Sequence, residues 1–261
     1  MKKTEVSSRS DREPLYGVNP VLEALRGNRK IEEIVVAEGA HQNRLVELID
    51  LARAKNIPVS RAPRAALDRA ARRANHQGVL ARVSAARYAD ADELLESVAA
   101  RIGTVTEPLV VVLDGVEDPR NLGAILRTAE CAGVHGVFMA ERRAVGLTET
   151  VAKAAAGAVE YLPVARVTNL ARLIESLKER NVWVVGTAAD APLAYTEWDW
   201  TRSSAVVLGG EGSGLHRLVR ERCDALVRIP VSGRIESLNV SVAAGVVLYE
   251  AQRQRTKAKD Q

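Results

Sequence analysis

A chain of 261 residues, 47% hydrophobic and 27% charged, has length for one large or two modest domains; at 3% aromatic, its core must come from Val, Leu, Ile and Ala. No apolar run approaches the roughly 20 residues that cross a bilayer, and the first eight residues lack the apolar stretch of a signal peptide. Two cysteines without CxxC spacing and four dispersed histidines argue against a disulfide framework or a metal site, so a reduced, cytoplasmic protein is expected.

The net charge of +4 is uneven: residues 1–85 carry 16 Lys/Arg against 10 Asp/Glu, and the remainder 21 against 23. Residues 1–13 and 254–261 are polar and unpatterned, and read as disordered tails. A small α/β unit is predicted over residues 14–85. Asn19-Pro20 opens a short helix over residues 21–25, which Gly27 ends. Residues 31–37 form a strand, and 44–55 an amphipathic helix with Leu45, Leu48, Ile49 and Ala52 on one stripe. A strand at 58–60, a basic helix at 64–73 and a strand at 79–83 complete the unit. Residues 51–82 hold eight bases against one acid, Asp68, with Arg64, Arg69, Arg72 and Arg73 in the basic helix. Such a patch suits a polyanion and equally a solvated helix face.

Residues 86–106 read as a linker that includes a helix. A second unit over 107–253 alternates strands and helices. Leu109-Val110-Val111-Val112-Leu113 is apolar throughout, as a parallel strand covered on both faces requires. Asp118-Pro119 opens a helix to about residue 132. Further strands fall at 134–140, 161–164, 182–186, 205–209 and 225–229, with helices near 147–156, 170–180 and 215–223. A last helix runs from about residue 238 to 253. The pattern is α/β with a mostly parallel sheet flanked by helices. Cys131 and Cys223 read as small core hydrophobes.

Three segments of this unit carry candidate chemistry. In Asn121-Leu122-Gly123-Ala124-Ile125-Leu126-Arg127, the apolar stripe leaves Asn121 and Arg127 unexplained. Six helical positions turn about 600°, so the pair converges only if Asn121 lies in the first turn. By itself the pattern favours a polar N-terminal residue and a snorkelling arginine. Leu208-Gly209-Gly210-Glu211-Gly212-Ser213-Gly214-Leu215 follows an apolar strand and reads as a ligand loop, where glycine admits close approach. It is neither GxGxxG nor a Walker motif, because Leu215-His216 stands where Lys-Ser/Thr is needed. Finally, Ile229-Pro230-Val231-Ser232-Gly233 leads through a turn to Ser237-Leu238-Asn239-Val240, a helix start capped by Ser237 that offers N–H groups and hydroxyls to a polar ligand.

In order and spacing, the three segments resemble the motifs of the SpoU (TrmH) family of RNA ribose 2′-O-methyltransferases. The likeness is closest to the RlmB-type subgroup that methylates a guanosine in 23S rRNA. Leu15-Tyr16-Gly17-Val18-Asn19-Pro20 and His76-Gln77-Gly78-Val79 resemble the ends of that subgroup's N-terminal substrate-binding domain. The resemblance implies a trefoil-knotted SPOUT domain that binds S-adenosylmethionine, a homodimer and an rRNA partner, with no membrane or metal. It assigns catalytic positions to Asn121, Arg127, Glu211, Ser237 and Asn239. Cofactor contacts fall to Thr187, Ala188, Gly209, Gly210, Glu211, Gly212, Ile229, Ser237, Leu238 and Asn239, and RNA contacts to Arg64, Arg69, Arg72 and Arg73. One departure is Ala155-Ala156-Gly157-Ala158, where many relatives carry Ser before Gly-Ala. Methylation of another rRNA or tRNA nucleotide, or an idle RNA-binding ribosome-assembly factor, are the competing readings.

Overall fold

A computed structural model describes residues 14–27, 31–40, 43–71, 75–83, 88–212, 214–235 and 237–259. The chain divides into two compact units, residues 1–86 and 87–261. The tail expected at residues 1–13 lies outside the described residues.

The first unit runs β1 (Leu15–Tyr16), α1 (Val18–Arg26), β2 (Ile31–Ala37), α2 (Asn43–Ala54), β3 (Val59–Ala62), α3 (Arg64–Ala70) and β4 (Val79–Val83). Its sheet has the order β1-β4-β2-β3, with only the β2–β3 pair parallel. That pair needs a crossover, which α2 supplies by burying Leu45, Leu48 and Ala52. Asn19-Pro20 does not open α1; the helix begins at Val18 after Gly17, whose φ of 102° favours glycine. The Val18 N–H, left without a partner in the helix, donates instead to Gln77 Oε1 at 3.1 Å. Beside it, buried His76 takes the Gly78 N–H on Nδ1 and bonds Asp68 through Nε2 at 2.9 Å. The His76-Gln77-Gly78 signature therefore knits the ends of this unit together.

The second unit contains α4 (Ala91–Ala99), β5 (Leu109–Asp114), α5 (Pro119–Cys131), β6 (Gly136–Ala140), α6 (Glu149–Ala154), a 3-10 turn (Ala158–Glu160), β7 (Val164–Val167), α7 (Leu170–Glu179), β8 (Trp183–Thr187), β9 (Leu193–Ala194), β10 (Ser204–Gly209), α8 (Arg217–Arg222), β11 (Ala225–Arg228) and α9 (Val240–Lys259). The sheet is seven strands in the order β7-β6-β5-β10-β8-β11-β9, parallel at every pairing. In β5, Leu109, Val111 and Leu113 join the core made with α5, α6 and α9, while Val110 and Val112 join the one made with α4, α7 and α8. Burial on both faces is why that strand reads as an unbroken apolar run.

Three boundaries differ from expectation. The region expected as a linker belongs to this unit: Leu94, Leu95 and Val98 of α4 are buried in its core, and Ala89 bridges to Ala165. The strand expected at 161–164 starts three residues later, because residues 158–160 turn and Pro163 breaks the lead-in. The C-terminal tail is helical to Lys259 rather than disordered from 254. Arg255 anchors it: Nε donates to Trp200 O at 2.8 Å and Nη2 to Pro108 O and Arg202 O at 3.0 and 2.8 Å, while Nη1 reaches Glu107 O. Arg255→Ala strands these partly buried carbonyls, so the stability of this unit should fall by about 3 kcal/mol in chemical denaturation.

Candidate active site

The parallel strands point their C-terminal ends to one rim, where open α/β sheets hold their ligands. Here β5 and β10 lie side by side, with Gly209 opposite Asp114. This brings the helix after β5, the glycine loop after β10 and the segment after β11 together, although 118 residues separate the first and last of their asparagines.

They meet in a closed hydrogen-bond cluster. Asn121 Nδ2 donates to Glu211 Oε1 at 2.7 Å, and Asn239 Nδ2 donates to the same oxygen at 2.7 Å and to Asn121 Oδ1 at 3.0 Å. The other end of the Asn239 amide faces its own helix: Oδ1 accepts the Ser241 N–H at 2.9 Å and the Ser241 hydroxyl at 2.5 Å. Asn239 is thus the cap of α9, which starts at Val240 rather than at Leu238 under a Ser237 cap. One side chain satisfies the helix end and fixes the cluster. Asn121 sits in the first turn of α5, its N–H held by Asp118 Oδ1 at 3.0 Å.

Beside the cluster is a cavity of about 500 Å³, within the range of small-molecule sites. All ten expected cofactor positions line it: Thr187, Ala188, Gly209, Gly210, Glu211, Gly212, Ile229, Ser237, Leu238 and Asn239. Leu208, Val227 and Val240 give it an apolar floor, and the loops give it a polar rim. That combination fits the flat base and polar tail of S-adenosylmethionine. The glycine loop folds back on itself through a Gly214 N–H to Gly210 O bond of 3.1 Å. Packing dictates its first two glycines: a Cβ on Gly209 would meet Gly214 C at 2.2 Å, and one on Gly210 would meet Gly115 O at 2.2 Å.

Other expected positions fall elsewhere. Arg127 is exposed on α5, joins neither cluster nor cavity lining, and has no hydrogen bond or salt bridge among the described residues. The Asn121 amide is committed to Glu211 and Asn239. In the first unit Arg64 and Arg69 are exposed without ion-pair partners among the described residues, as is Arg61, whereas Arg82 pairs with Glu33 at 3.5 Å. Arg72 and Arg73 lie outside the described residues. Cys131 is exposed at the end of α5, not a core residue. Burial pushes the Cys223 thiol up from 9.0 to about 12, which makes it unreactive at neutral pH. Sequence reasoning missed the Arg220–Asp190 pair at the cavity rim, two bonds of 2.9 Å between residues 30 apart. No local pattern links them. Among the described residues no helix is long and apolar enough to cross a membrane, and no cluster has metal-ligating composition.

Fold and site together define a parallel α/β protein with a nucleoside-sized cavity at its strand ends and an amide–carboxylate cluster at the cavity edge. Residues 108–249 match the SpoU rRNA methylase family, and residues 14–89 match the RNA 2′-O ribose methyltransferase substrate-binding domain. The chain is 45% identical over 92% of its length to YacO of Bacillus subtilis, a protein named for the TrmH family of tRNA/rRNA methyltransferases, and covers 95% of it. Among solved structures, the SpoU methyltransferase AviRb of Streptomyces viridochromogenes in complex with S-adenosylmethionine superposes with a TM-score of 0.77 at 25% identity, over 94% of this chain and 90% of that one. An S-adenosylmethionine-bound rRNA methyltransferase of Sinorhizobium meliloti gives 0.74 at 29% identity, over 92% and 86%. The chain belongs to the SpoU/TrmH family of RNA ribose 2′-O-methyltransferases, and its cofactor is S-adenosylmethionine.

Proposed function

We propose that this enzyme methylates the ribose 2′-hydroxyl of a guanosine in 23S rRNA, as a cytoplasmic homodimer. The observation that carries the reading is the Asn121–Glu211–Asn239 cluster at the edge of the cavity. The two signatures at the ends of the first unit support the 23S target. When bound, S-adenosylmethionine supplies a methyl group on a good leaving group, so the protein has to align, exclude water and handle one proton.

In this reading Ser237, Leu238, Thr187 and Ala188 hold the cofactor, and the cluster fixes the glycine loop against α5 and α9. Glu211 Oε2, with no hydrogen-bond partner among the described residues, is free to face cofactor or ribose. Arg127 clamps the target phosphate and stabilises charge developing on the 2′ oxygen, a role that suits a guanidinium, which offers five N–H donors and no acceptor. It lies about 9 Å further along α5 than Asn121, at 1.5 Å per residue. That separation favours its delivery by a second copy. For such a copy, α9 leaves Val242 and Tyr249 half exposed seven residues apart, on one helix face. The trefoil knot expected from the resemblance belongs to the same reading.

Arg61, Arg64 and Arg69 supply phosphate contacts without base readout. Changing all three to Glu should weaken RNA binding at least about tenfold and reduce the slope of log K against log salt by about three. Cofactor affinity should stay the same. Filter binding at several salt concentrations measures this. The target class is tested by offering 23S, 16S and tRNA transcripts with labelled cofactor: preferred labelling of 23S is expected, and preferred labelling of tRNA would overturn the assignment.

A further inference from the structure

The loop between β6 and α6, residues 141–148, is held at both ends and free at its tip. At its start the Glu141 N–H donates to Val167 O at 2.9 Å, and Arg166 Nη2 donates to Glu141 O at 2.6 Å. At its end the Leu147 N–H donates to the Tyr88 hydroxyl at 2.8 Å, and the Arg166 guanidinium lies over that tyrosine ring, 5.0 Å from its centre. Between them the Val145 N–H donates to Val116 O at 3.2 Å, which ties this loop to the one after β5. The tip carries Arg142 and Arg143, both exposed, whose guanidiniums have no ion pair or hydrogen bond among the described residues. Arg143 sits at φ 54°, in the left-handed region that favours glycine. Glycine would make this turn with less strain, so the turn itself does not account for an arginine here.

The loop belongs to the rim that carries the Asn121–Glu211–Asn239 cluster. Val116, to which it is tied, precedes Asn121 by five residues. The helix it enters, α6, packs on α5 at Gly123, where a Cβ would meet Ala154 Cβ at 2.4 Å. On α5 two more guanidiniums lack a partner among the described residues, Arg120 and Arg127, seven residues apart on one helix face. Glu117, Asp118 and Glu141 share these loops, but none forms an ion pair with an arginine among the described residues, and Asp118 is spent on capping α5. Elsewhere on this unit surface arginines are paired, as in Arg180–Glu96, Arg222–Glu175 and Arg253–Glu250. We propose that Arg142 and Arg143 grip the phosphate backbone of the RNA beside the target ribose, a second RNA-binding surface carried by the catalytic unit itself; this rests on the reading of the rim as a 2′-O-methyltransferase centre. A guanidinium holds a phosphate by two parallel N–H bonds and fixes register without reading a base. Because Tyr88 and Arg166 pin the loop at both ends, the grip is set before RNA arrives and the strand takes its position from the loop.

The test combines Arg142→Gln with Arg143→Gln, which removes two charges and none of the loop's hydrogen bonds. In filter binding to an unmodified 23S rRNA transcript, Kd should rise at least about tenfold and the slope of log K against log salt should shrink by about 1.4 to 1.8. Cofactor Kd by calorimetry should stay within about twofold, and the loss in methyl transfer should fall on the RNA KM more than on kcat. Arg101→Gln, in the turn that precedes the other end of β5, removes an equally exposed charge and should leave RNA Kd within about twofold. Arg143→Gly separates grip from scaffold: it relieves the left-handed backbone, so the thermal midpoint should not fall. Its RNA Kd should still rise at least about threefold. An unchanged salt slope in the double variant overturns the inference, as does an equal loss with Arg101→Gln or a lowered midpoint with unchanged RNA binding in Arg143→Gly. Binding is read without methyl transfer, so a wild type that labels no RNA ribose sinks the reading of the rim, and the salt slope still decides the loop.

Discussion

Gly209→Ala is expected to weaken S-adenosylmethionine binding at least about 100-fold while leaving the rest of the fold in place. The new Cβ would stand 2.2 Å from Gly214 C, 2.5 Å from Gly214 O and 2.5 Å from Leu215 N, all of them backbone atoms. No rotamer change relieves such a contact, so the loop must open. That loop contributes Gly209, Gly210, Glu211, Gly212 and Gly214 to the cavity wall, and an opened loop also pulls Glu211 away from both amides. A 100-fold loss corresponds to about 2.8 kcal/mol, comparable with the usual cost of overpacking a close-packed site. Calorimetry reads it directly, and binding within threefold of wild type would mean that the loop does not hold the cofactor.

Arg127→Lys is expected to lower kcat/KM for methyl transfer about 100-fold, with cofactor affinity and thermal midpoint unchanged. Arg127 has no hydrogen-bonded partner among the described residues, so its loss leaves nothing inside the chain unpaired. A lysine keeps the charge but loses the planar fork that grips a phosphate at two points. Near-normal activity would make that fork irrelevant. Mixing Arg127→Ala with Gly209→Ala extends the test to the dimer. If the arginine acts across it, the mixed dimer has one intact site and activity returns; if it acts within one chain, two inactive variants stay inactive.

The sequence shows the elements of the second unit well because parallel strands buried on both faces leave unbroken apolar runs, as at residues 109–113. It also shows which residues lack a packing reason, Asn121 and Glu211 among them. What it hides is everything set by strand order. Asp114 and Gly209 are neighbours only because β10 inserts between β5 and β8, and no periodicity encodes that insertion. The Asn239 cap and the tie from Val145 to Val116 are invisible for the same reason. Local rules failed where tertiary contacts replaced them. Gln77 does the capping that Asn19 was expected to do, and Arg255 holds in place a helix end whose composition reads as disordered. Arg127 is the opposite case, a position supplied by resemblance that lies outside the lining of the cavity.

The proposed reaction moves a methyl group to a ribose oxygen of a guanosine in 23S rRNA. The direct measurement is to incubate the chain with methyl-labelled S-adenosylmethionine and unmodified 23S rRNA, digest the RNA to nucleosides and identify the labelled product by mass spectrometry. The account predicts label in 2′-O-methylguanosine at a single site. Label on a base, or in any nucleoside other than guanosine, would contradict it.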